Sequence, residues 1–337
     1  MLSLKKIEAA AKNIQEVVVH TPLQHNALLS EQFECNVYLK REDLQVVRSY
    51  KIRGAFNKIR SLTKKEKLKG VVCASAGNHA QGVAYSCKKL NIKGTIFMPQ
   101  TTPTQKVSQV KLFGKEMIDV ILIGDSFDDA NKAALKYCRN TDKSFVHPFD
   151  DIKVMEGQGT IAKEIIDDAK FEIDYLILPV GGGGLAAGTS SYFFHKSNKT
   201  RIIGVEPEGA PSMSQSLKKG VNTELESIDK FVDGAAVKKV GEKSFKICKK
   251  TLHEMVLVPE GKICTTILSL YNQQAIVVEP AGALSITALY FLKEKIKDKN
   301  VVCIVSGSNN DIMRTEEIRE RSLLHEGLKH FFIVRFP

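Results

Sequence analysis

The segment Tyr175-Leu176-Ile177-Leu178-Pro179-Val180-Gly181-Gly182-Gly183-Gly184-Leu185-Ala186-Ala187-Gly188 joins an apolar run of strand length to a helix-like stretch through four consecutive glycines. Because glycine has no Cβ atom, the backbone N–H groups of such a turn can converge on an anion, and the following helix N-terminus adds partial positive charge. The turn therefore predicts a phosphate site, with a plain flexible loop as the alternative. No Gly-Lys-Ser/Thr follows, which excludes a Walker loop, and a dinucleotide fingerprint would need glycine where Ala186 stands.

A second informative stretch is Ser49-Tyr50-Lys51-Ile52-Arg53-Gly54-Ala55. A lysine beside an aromatic residue and small polar residues at the start of a helix can form a Schiff base with an aldehyde cofactor. The chain also carries Ser75-Ala76-Gly77-Asn78-His79-Ala80-Gln81. Together with the glycine turn, these two stretches predict a pocket for pyridoxal 5'-phosphate.

Short apolar strands alternate along the chain with stretches long enough for helices. The strand candidates are Val71 to Ala74, Gly94 to Met98, Ile118 to Ile123, Tyr175 to Val180, Ile202 to Val205 and Val301 to Val305. This alternation predicts an α/β fold with mostly parallel sheets covered by helices on both faces. The 337 residues suffice for two lobes around a cleft, and because no long linker is present we expect one lobe to be inserted into the other. We place the large cofactor-binding lobe at 1–64 plus 149–312, the small inserted lobe at 65–148, and a C-terminal helix and strand at 313–337.

The composition fits a globular enzyme, and the pattern of cysteines favours the cytoplasm. Lys and Arg number 49 against 38 Asp and Glu, but the cations are dispersed and no aromatic-interleaved basic stripe is present, so no nucleic-acid partner is expected. The seven cysteines are scattered without a Cys-x-x-Cys pair, which favours reduced thiols and argues against a zinc site. No segment reaches the roughly 18 apolar residues of a membrane span, so no membrane partner is expected.

Seven motifs, taken in order, resemble those of the serine/threonine dehydratases, pyridoxal-phosphate enzymes of the two-lobed tryptophan-synthase-β-like fold (fold type II). They are the stretches around Lys51 and Asn78 quoted above, His147-Pro148-Phe149-Asp150, Gly157-Gln158-Gly159-Thr160, Gly181 to Leu185, Glu279-Pro280-Ala281-Gly282-Ala283 and Ser306-Gly307-Ser308-Asn309. The resemblance covers the chain from about Thr21-Pro22-Leu23 to Asn309. Within the family it is strongest to the biosynthetic threonine dehydratases, also called threonine ammonia-lyases. It implies a lyase that converts an amino acid, L-threonine, to 2-oxobutanoate and ammonia in the isoleucine pathway, and a homodimer or homotetramer.

The same resemblance implies a role for each residue of the pocket. Lys51 would form the Schiff base and remove the Cα proton of the substrate. The cofactor would be bound by Lys51, by Tyr50 beside the ring, by Asn78 at the phenolic oxygen, by Ser306 at the pyridine nitrogen, and by Gly181, Gly182, Gly183, Gly184 and Leu185 at the phosphate. The substrate carboxylate would be bound by Ser75, Gly77, Asn78 and His79, the last through its backbone N–H. Glu279 would lie near the ring or cap the following helix, and His147 is expected to be structural.

Three positions separate related activities within the family. A neutral Ser306 hydroxyl at the pyridine nitrogen would leave a free carbanion poorly stabilised and favour elimination over transamination. Racemases of the family carry a serine as a second acid/base where this chain has Ala76, so we favour a dehydratase over a racemase. Glu206 stands where the racemases have a metal ligand, but Ser212 replaces an expected Asp, so no metal site is predicted. L-serine dehydration, serine racemisation and β-replacement by a thiol, as in a sulfhydrylase, stay open as alternatives.

The C-terminal segment departs from the family pattern. Arg314 to His330 predicts a charged helix, and Phe331 to Pro337 has strand character. In members with a regulatory domain, a similar segment begins that domain. Because this sequence stops within the segment, we expect the regulatory domain to be missing and inhibition by isoleucine to be weak or absent. Phe331, Phe332 and Phe336 would be exposed and would favour self-association or disorder.

Overall fold

The strands of the molecule form two sheets. The computed structural model describes residues 1–335. Its strands are β1 (Leu23–His25), β2 (Asn36–Arg41), β3 (Val71–Ala74), β4 (Gly94–Met98), β5 (Ile118–Leu122), β6 (Ser144–Phe145), β7 (Tyr175–Pro179), β8 (Arg201–Pro207), β9 (Glu254–Val258) and β10 (Asn300–Val305). The order β1-β2-β10-β7-β8-β9 forms a six-stranded sheet, and β5-β4-β3-β6 forms a four-stranded sheet.

Helices fill most of the chain between these strands. They are α1 (Leu4–Ile14), α2 (Ala27–Phe33), α3 (Lys51–Arg60), α4 (Lys64–Lys69), α5 (Asn78–Leu90), α6 (Thr104–Gly114), α7 (Phe127–Thr141), α8 (Ile152–Asp168), α9 (Gly184–Lys196), α10 (Ser212–Lys219), α11 (Glu242–Thr251), α12 (Glu260–Gln274), α13 (Pro280–Thr287), α14 (Leu289–Ile296) and α15 (Thr315–His325). Within residues 1–335, every helix is too short or too polar to cross a bilayer.

The six-stranded sheet is parallel except for β1, which runs antiparallel to β2 at one edge. Along β10, Val301, Cys303 and Val305 face one apolar core, and Val302 and Ile304 face another. Helices α2 and α12 to α15 cover the first face, and α1, α8, α9 and α11 cover the second. Burial on both faces explains the continuous apolar runs of the sequence. The predicted α/β class with mostly parallel, helix-covered sheets is confirmed.

The four-stranded sheet is parallel throughout. Helices α5 and α6 cover the face that carries Val71, Cys73 and Ile96, and α7 covers the face that carries Val72 and Phe97. All four strands come from residues 71–145, inside the segment 65–148 that the sequence assigns to an inserted lobe. The boundaries of that lobe stay a prediction.

Helix α3, which begins at Lys51, packs between the helices of the six-stranded sheet and the core of the four-stranded sheet. Ala55 and Ile59 of this helix pack into the core of the four-stranded sheet. The helix also packs closely on α8, because a Cβ atom on Gly157 would lie 2.5 Å from the backbone oxygen of Arg53. A side chain at Gly157 would push the two helices apart, so the glycine helps to set the position of Lys51.

A buried ion cluster lies two residues beyond Lys51 on the same helix. The Arg53 guanidinium is fully buried and donates to both carboxylate oxygens of Glu42, at 2.7 and 2.8 Å, and to both of Glu164, also at 2.7 and 2.8 Å. The buried Lys40 ammonium lies 2.7 Å from Glu164 and donates to the backbone oxygen of Thr21 at 2.6 Å. Buried charges need such partners, and the cluster ties β2, α3 and α8 together.

The C-terminal helix is shorter than the sequence predicts. Helix α15 begins at Thr315 and ends at His325, not at His330. The chain turns at Gly327, which has a φ of +69°, a conformation that glycine adopts without strain and that interrupts a helix.

The strand predicted at the C-terminus is wrong for residues 331–335, which have no regular structure. Phe331 and Phe332 are exposed there, as expected. A strand needs a neighbour for its backbone hydrogen bonds, and within residues 1–335 neither sheet pairs with this segment. Phe336 and Pro337 lie outside the described residues.

All seven cysteines are free, and six of them are buried. Cys138 is the half-buried exception, and its thiol donates to the backbone oxygen of Lys143 at 2.8 Å. Burial raises the pKa of the Cys87 and Cys264 thiols to about 12, which keeps them protonated and unreactive.

Candidate active site

Lys51 begins helix α3 at the junction with the end of β10. The backbone N–H of Tyr50 donates to the Ser306 oxygen at 3.2 Å, and Ser49 forms a bridge with Gly307. The Lys51 ammonium donates to the Pro148 backbone oxygen at 3.1 Å. Burial lowers the pKa of Lys51 to about 8, although the negative charge of Glu279 opposes the change. A lysine whose proton leaves this readily is suited to attack a carbonyl group.

The glycine turn lies between β7 and α9, as the sequence predicts. Gly183 has a φ of +88°, and α9 begins at Gly184. A Cβ atom on Gly182 would lie 2.3 Å from the ring of Phe149, and one on Gly184 would lie 2.8 Å from the Phe149 backbone oxygen. The turn therefore needs glycine both for its backbone conformation and for the close approach of Phe149.

The turn has the properties of an anion site. Helix α9 is 13 residues long, and its first backbone N–H groups, which begin at Gly184, have no partner within the helix. Those groups and the helix dipole favour a bound phosphate. Phe149 directly follows Pro148, whose oxygen accepts from Lys51, so the anion site and the lysine are held by the same short segment.

The predicted substrate loop connects β3 to α5. Ser75 Oγ accepts from the backbone N–H of Gly77 at 3.2 Å. A Cβ atom on Gly77 would have no neighbour within 4 Å, so this side of the loop faces open space. The loop ends where the first backbone N–H groups of α5 lack partners within the helix, and such groups can bind a carboxylate.

His79 lies in the first turn of α5 with its imidazole buried. Its Nε2 donates to the Val146 oxygen at 2.8 Å, while Nδ1 has no partner. Burial and the nearby charge of Lys51 lower the pKa of His79 to about 3, so the ring is neutral. The imidazole therefore anchors α5 to the segment after β6, which leaves the His79 backbone N–H for the predicted carboxylate contact.

Asn78 lies at the centre of a chain of side-chain hydrogen bonds. Asn309 Nδ2 donates to Asn78 Oδ1 at 2.6 Å, and Asn78 Nδ2 donates to Glu279 Oε1 at 2.6 Å. Glu279 immediately precedes α13 but makes no side-chain cap on it, so its carboxyl group faces Asn78 instead. Burial, reinforced by the negative charge of Asp233, raises the pKa of Glu279 to about 7, against the opposing effect of the Asn78 hydrogen bond and of Lys106.

Ser306 directly follows β10, and its side chain is buried. Its hydroxyl donates to the Ala281 backbone oxygen at 3.3 Å, at the start of α13. The hydroxyl carries no charge, and its contacts place it beside both Tyr50 and the helix that follows Glu279. The structure thus brings Ser306, Tyr50, Lys51 and Glu279 into one region.

The assembled groups fit pyridoxal phosphate. The half-buried Lys51 amine is available for an aldehyde, the N-terminus of α9 for a phosphate, and the remaining N–H of the Asn78 amide for a phenolic oxygen. A Cβ atom on Gly181 would lie 3.0 Å from Ala235, and one on Gly234 would lie 3.5 Å from Glu279 Oε1. The glycine turn and the Asn78 chain are therefore linked by continuous packing.

Glu206 and Ser212, the positions compared with a metal site, have other partners. Glu206 accepts from the backbone N–H groups of Met213 at 2.7 Å and Ser214 at 2.9 Å, at the start of α10. Burial raises the pKa of Glu206 to about 8. The Ser212 hydroxyl donates to the Val237 oxygen. Within residues 1–335, no three His, Cys, Asp or Glu side chains are grouped as metal ligands would be.

Two residues of the site were not assigned a role from the sequence. Phe149 packs against the glycine turn, and Asn309 holds Asn78. Both lie inside sequence motifs quoted above, His147 to Asp150 and Ser306 to Asn309, so the motifs already pointed to these two residues. The Nδ1 atom of His147 accepts from the backbone N–H of Asp150 at 2.8 Å, and its structural role stays a prediction.

Comparison with known proteins identifies a family and individual relatives. The sequence model of the family described as pyridoxal-phosphate dependent enzyme matches residues 14–307. The biosynthetic L-threonine dehydratase IlvA of Halalkalibacterium halodurans is 61% identical over 336 residues, which cover 100% of this chain and 81% of the relative. The protein of the same name from Bacillus subtilis is 58% identical over 337 residues, covering 100% and 80%. The structure of the processed form of threonine deaminase isoform 2 from Solanum lycopersicum has a TM-score of 0.91 and 41% identity, over 95% of this chain and 87% of that chain.

Proposed function

Since the chain belongs to the family of pyridoxal-phosphate dependent enzymes, we propose that it dehydrates and deaminates L-threonine to 2-oxobutanoate and ammonia. The full-length similarity to proteins named biosynthetic L-threonine dehydratase supports this substrate and a place in isoleucine synthesis. The observation that carries the proposal is the half-buried Lys51 amine. It lies against the segment that also packs on the glycine turn, so a lysine-bound aldehyde and its phosphate can be held together.

Lys51 has two roles in this proposal. Its amine would hold the cofactor aldehyde covalently, and the same amine, when free, would remove the Cα proton of the substrate. When bound, the cofactor supplies an electron-withdrawing ring that makes this proton acidic. Burial lowers the pKa of Lys51 to about 8, so more of the amine is uncharged near neutral pH than in an exposed lysine.

The other residues of the pocket bind and orient. The backbone N–H groups of Gly181 to Gly184 and Leu185 would hold the phosphate, and Tyr50 would lie beside the ring. Asn78 would donate to the phenolic oxygen, and Ser306 would offer an uncharged hydroxyl to the pyridine nitrogen. The substrate carboxylate binds to Ser75, Gly77, Asn78 and the backbone N–H of His79. An uncharged Ser306 would give the ring nitrogen no carboxylate partner to hold a proton, so a free carbanion would be poorly stabilised. Lys51 would then take the Cα proton as the β-hydroxyl, protonated by solvent, leaves as water.

Ala76 distinguishes this proposal from serine racemisation. A methyl side chain cannot deliver a proton to the face of the substrate opposite Lys51, and racemisation requires such a group. Serine dehydration is separated from threonine dehydration by one methyl group, which is worth only about 1–3 kcal/mol of discrimination. β-Replacement would need a thiol to add before the product leaves.

The test is product formation by the purified holoenzyme with L-threonine, L-serine, D-serine, and L-serine plus sulfide. We expect 2-oxobutanoate from L-threonine, and a loss of at least ~10³-fold in Lys51→Ala, from which both base and covalent attachment are missing. Lys58→Ala, on the same helix, should keep the activity because Lys58 pairs with Asp151 at 2.8 Å rather than with the site. Absence of any oxoacid from a protein that binds the cofactor, or cysteine formation with sulfide, would refute the proposal.

We also propose that the chain works in the cytoplasm as a homodimer or homotetramer. Seven free cysteines favour a reducing compartment. Exposed apolar side chains such as Leu328, Phe331 and Phe332 favour association. Sedimentation equilibrium of the holoenzyme tests the oligomer, and a monomer at micromolar concentration would refute it.

A further inference from the structure

The orientation of the Asn78 amide is determined by a chain of hydrogen bonds that begins at a backbone oxygen. Val47 O can only accept, and Asn309 Nδ2 donates to it at 2.9 Å. The second hydrogen of Asn309 Nδ2 is donated to Asn78 Oδ1 at 2.6 Å. Because Oδ1 of Asn78 is thereby fixed as the acceptor, its Nδ2 must face Glu279, which accepts at 2.6 Å. The opposite amide orientation would place two acceptors, Asn78 Oδ1 and the Glu279 carboxylate, against each other.

Each group in this chain has a single possible role, and one N–H of Asn78 is left over. Building on the function proposed above, we propose that Glu279 is a positioning residue: by accepting from Asn78, it holds the remaining N–H of that amide as a donor to the phenolic oxygen of the bound cofactor. Glu279 is 5% exposed, so no water competes freely for its carboxyl group. A Cβ atom on Gly307 would lie 2.6 Å from Glu279 Oε1, so the carboxyl group is also confined by packing.

The charge of Glu279 is set by groups from several elements. Lys51 comes from α3, Lys106 from α6, and Asp233 from the segment before α11, where Lys106 and Asp233 form an ion pair at 2.6 Å. Burial and Asp233 raise the pKa of Glu279 to about 7. The carboxyl group is a stronger acceptor when it is ionised, so its hold on Asn78 should strengthen as the pH rises through about 7.

The experiment follows the visible absorbance of the bound cofactor and its dissociation constant from pH 6 to pH 9. Glu279→Gln keeps an oxygen acceptor of the same shape without the charge, and Glu279→Leu removes the acceptor. We expect the visible absorbance of the cofactor to change with pH in the wild-type holoenzyme and to lose this change in Glu279→Gln. We expect Glu279→Leu to weaken cofactor binding by roughly 10–100-fold, the range of a hydrogen bond to a charged group.

Asn309→Ala tests the chain of hydrogen bonds at its opposite end, and it provides the test if Glu279→Leu does not fold. Without its donor, Asn78 is free to reverse its amide, so this variant should also shift the absorbance and weaken cofactor binding. The inference would be overturned if Glu279→Gln showed the same spectral titration as the wild-type holoenzyme, or if Asn309→Ala showed the wild-type spectrum and cofactor affinity. Failure of the unchanged protein to bind the cofactor or release 2-oxobutanoate would instead overturn the proposed function.

Discussion

Replacement of Arg53 by methionine should destabilise the molecule strongly, although the two side chains have similar length. The change removes five hydrogen bonds of the guanidinium, two to Glu42, two to Glu164 and one to the Thr160 hydroxyl at 3.0 Å. Glu164 keeps Lys40 at 2.7 Å. Glu42 is fully buried and keeps only neutral donors, the Thr21 hydroxyl at 2.6 Å and the Gln45 amide at 3.3 Å.

The expected loss follows from that one unpaired carboxylate. Removing one partner of a buried ion pair costs about 3–5 kcal/mol, a large part of the 5–15 kcal/mol that typically stabilises a protein. At about 2 °C per kcal/mol for a large domain, the midpoint of thermal unfolding should fall by about 6–10 °C. Because Arg53 lies two residues beyond Lys51 on α3, cofactor affinity should fall as well.

The assay is thermal and urea unfolding followed by circular dichroism, with Lys163→Met as the matched control. Lys163 pairs with Asp167 on the exposed side of α8, so its replacement should cost less than about 0.5 kcal/mol. Adding Glu42→Gln to Arg53→Met removes the unpaired charge and should restore at least about half of the loss. A loss below about 1 kcal/mol in Arg53→Met, or no recovery in the double variant, would show that Glu42 is not held as a charge that needs Arg53.

Three further predictions concern packing, capping and pH. Gly182→Ala should lower the free energy of unfolding by about 1–3 kcal/mol and weaken cofactor binding, because the new Cβ would lie 2.3 Å from the Phe149 ring. In the control Gly77→Ala the new Cβ has nothing within 4 Å, so the melting temperature should change little; equal melting temperatures of the two variants would contradict the prediction. Thr63→Ala removes the capping box of α4 and should cost about 1 kcal/mol in urea unfolding with unchanged activity; an unchanged free energy would contradict it. The pKa of His79 is lowered from 6.5 to about 3, so the unfolded chain binds this proton first and stability should fall by roughly 3 kcal/mol between pH 6.5 and 4. His79→Gln should reduce that pH dependence in unfolding measurements, and an unaltered slope would count against it.

The strands that could be predicted from the sequence are those that are apolar along their whole length. β7 and β10 are apolar throughout because both faces are buried, so local sequence was sufficient. β2 was not predicted, because Lys40 and Arg41 interrupt its apolar pattern, although Lys40 is buried by its ion pairs. β6 has only 2 residues and β1 only 3, too few to show a period.

For the site, local sequence was sufficient to place Lys51 at a helix start and the glycines at a strand-to-helix turn. It could not show that Asn78 bonds to Glu279, because 201 positions separate them and only the fold brings them together. The close approach of Phe149 to the glycine turn is likewise a long-range contact. The alternatives for Glu279, ring neighbour or helix cap, could be separated only by the direction of its side chain.

The pairing of β2 with β10 determines the order in which a newly made chain can fold. Asn36 and Asn300 lie opposite each other in that pairing, 264 positions apart in the sequence. At typical rates of synthesis, roughly 15–50 s pass between the emergence of the two strands. The four-stranded sheet, complete by residue 145, can form during that interval, whereas one edge of β2 stays unpaired until β10 leaves the ribosome. During translation, this unpaired backbone edge is therefore exposed to pairing with another copy of the nascent chain.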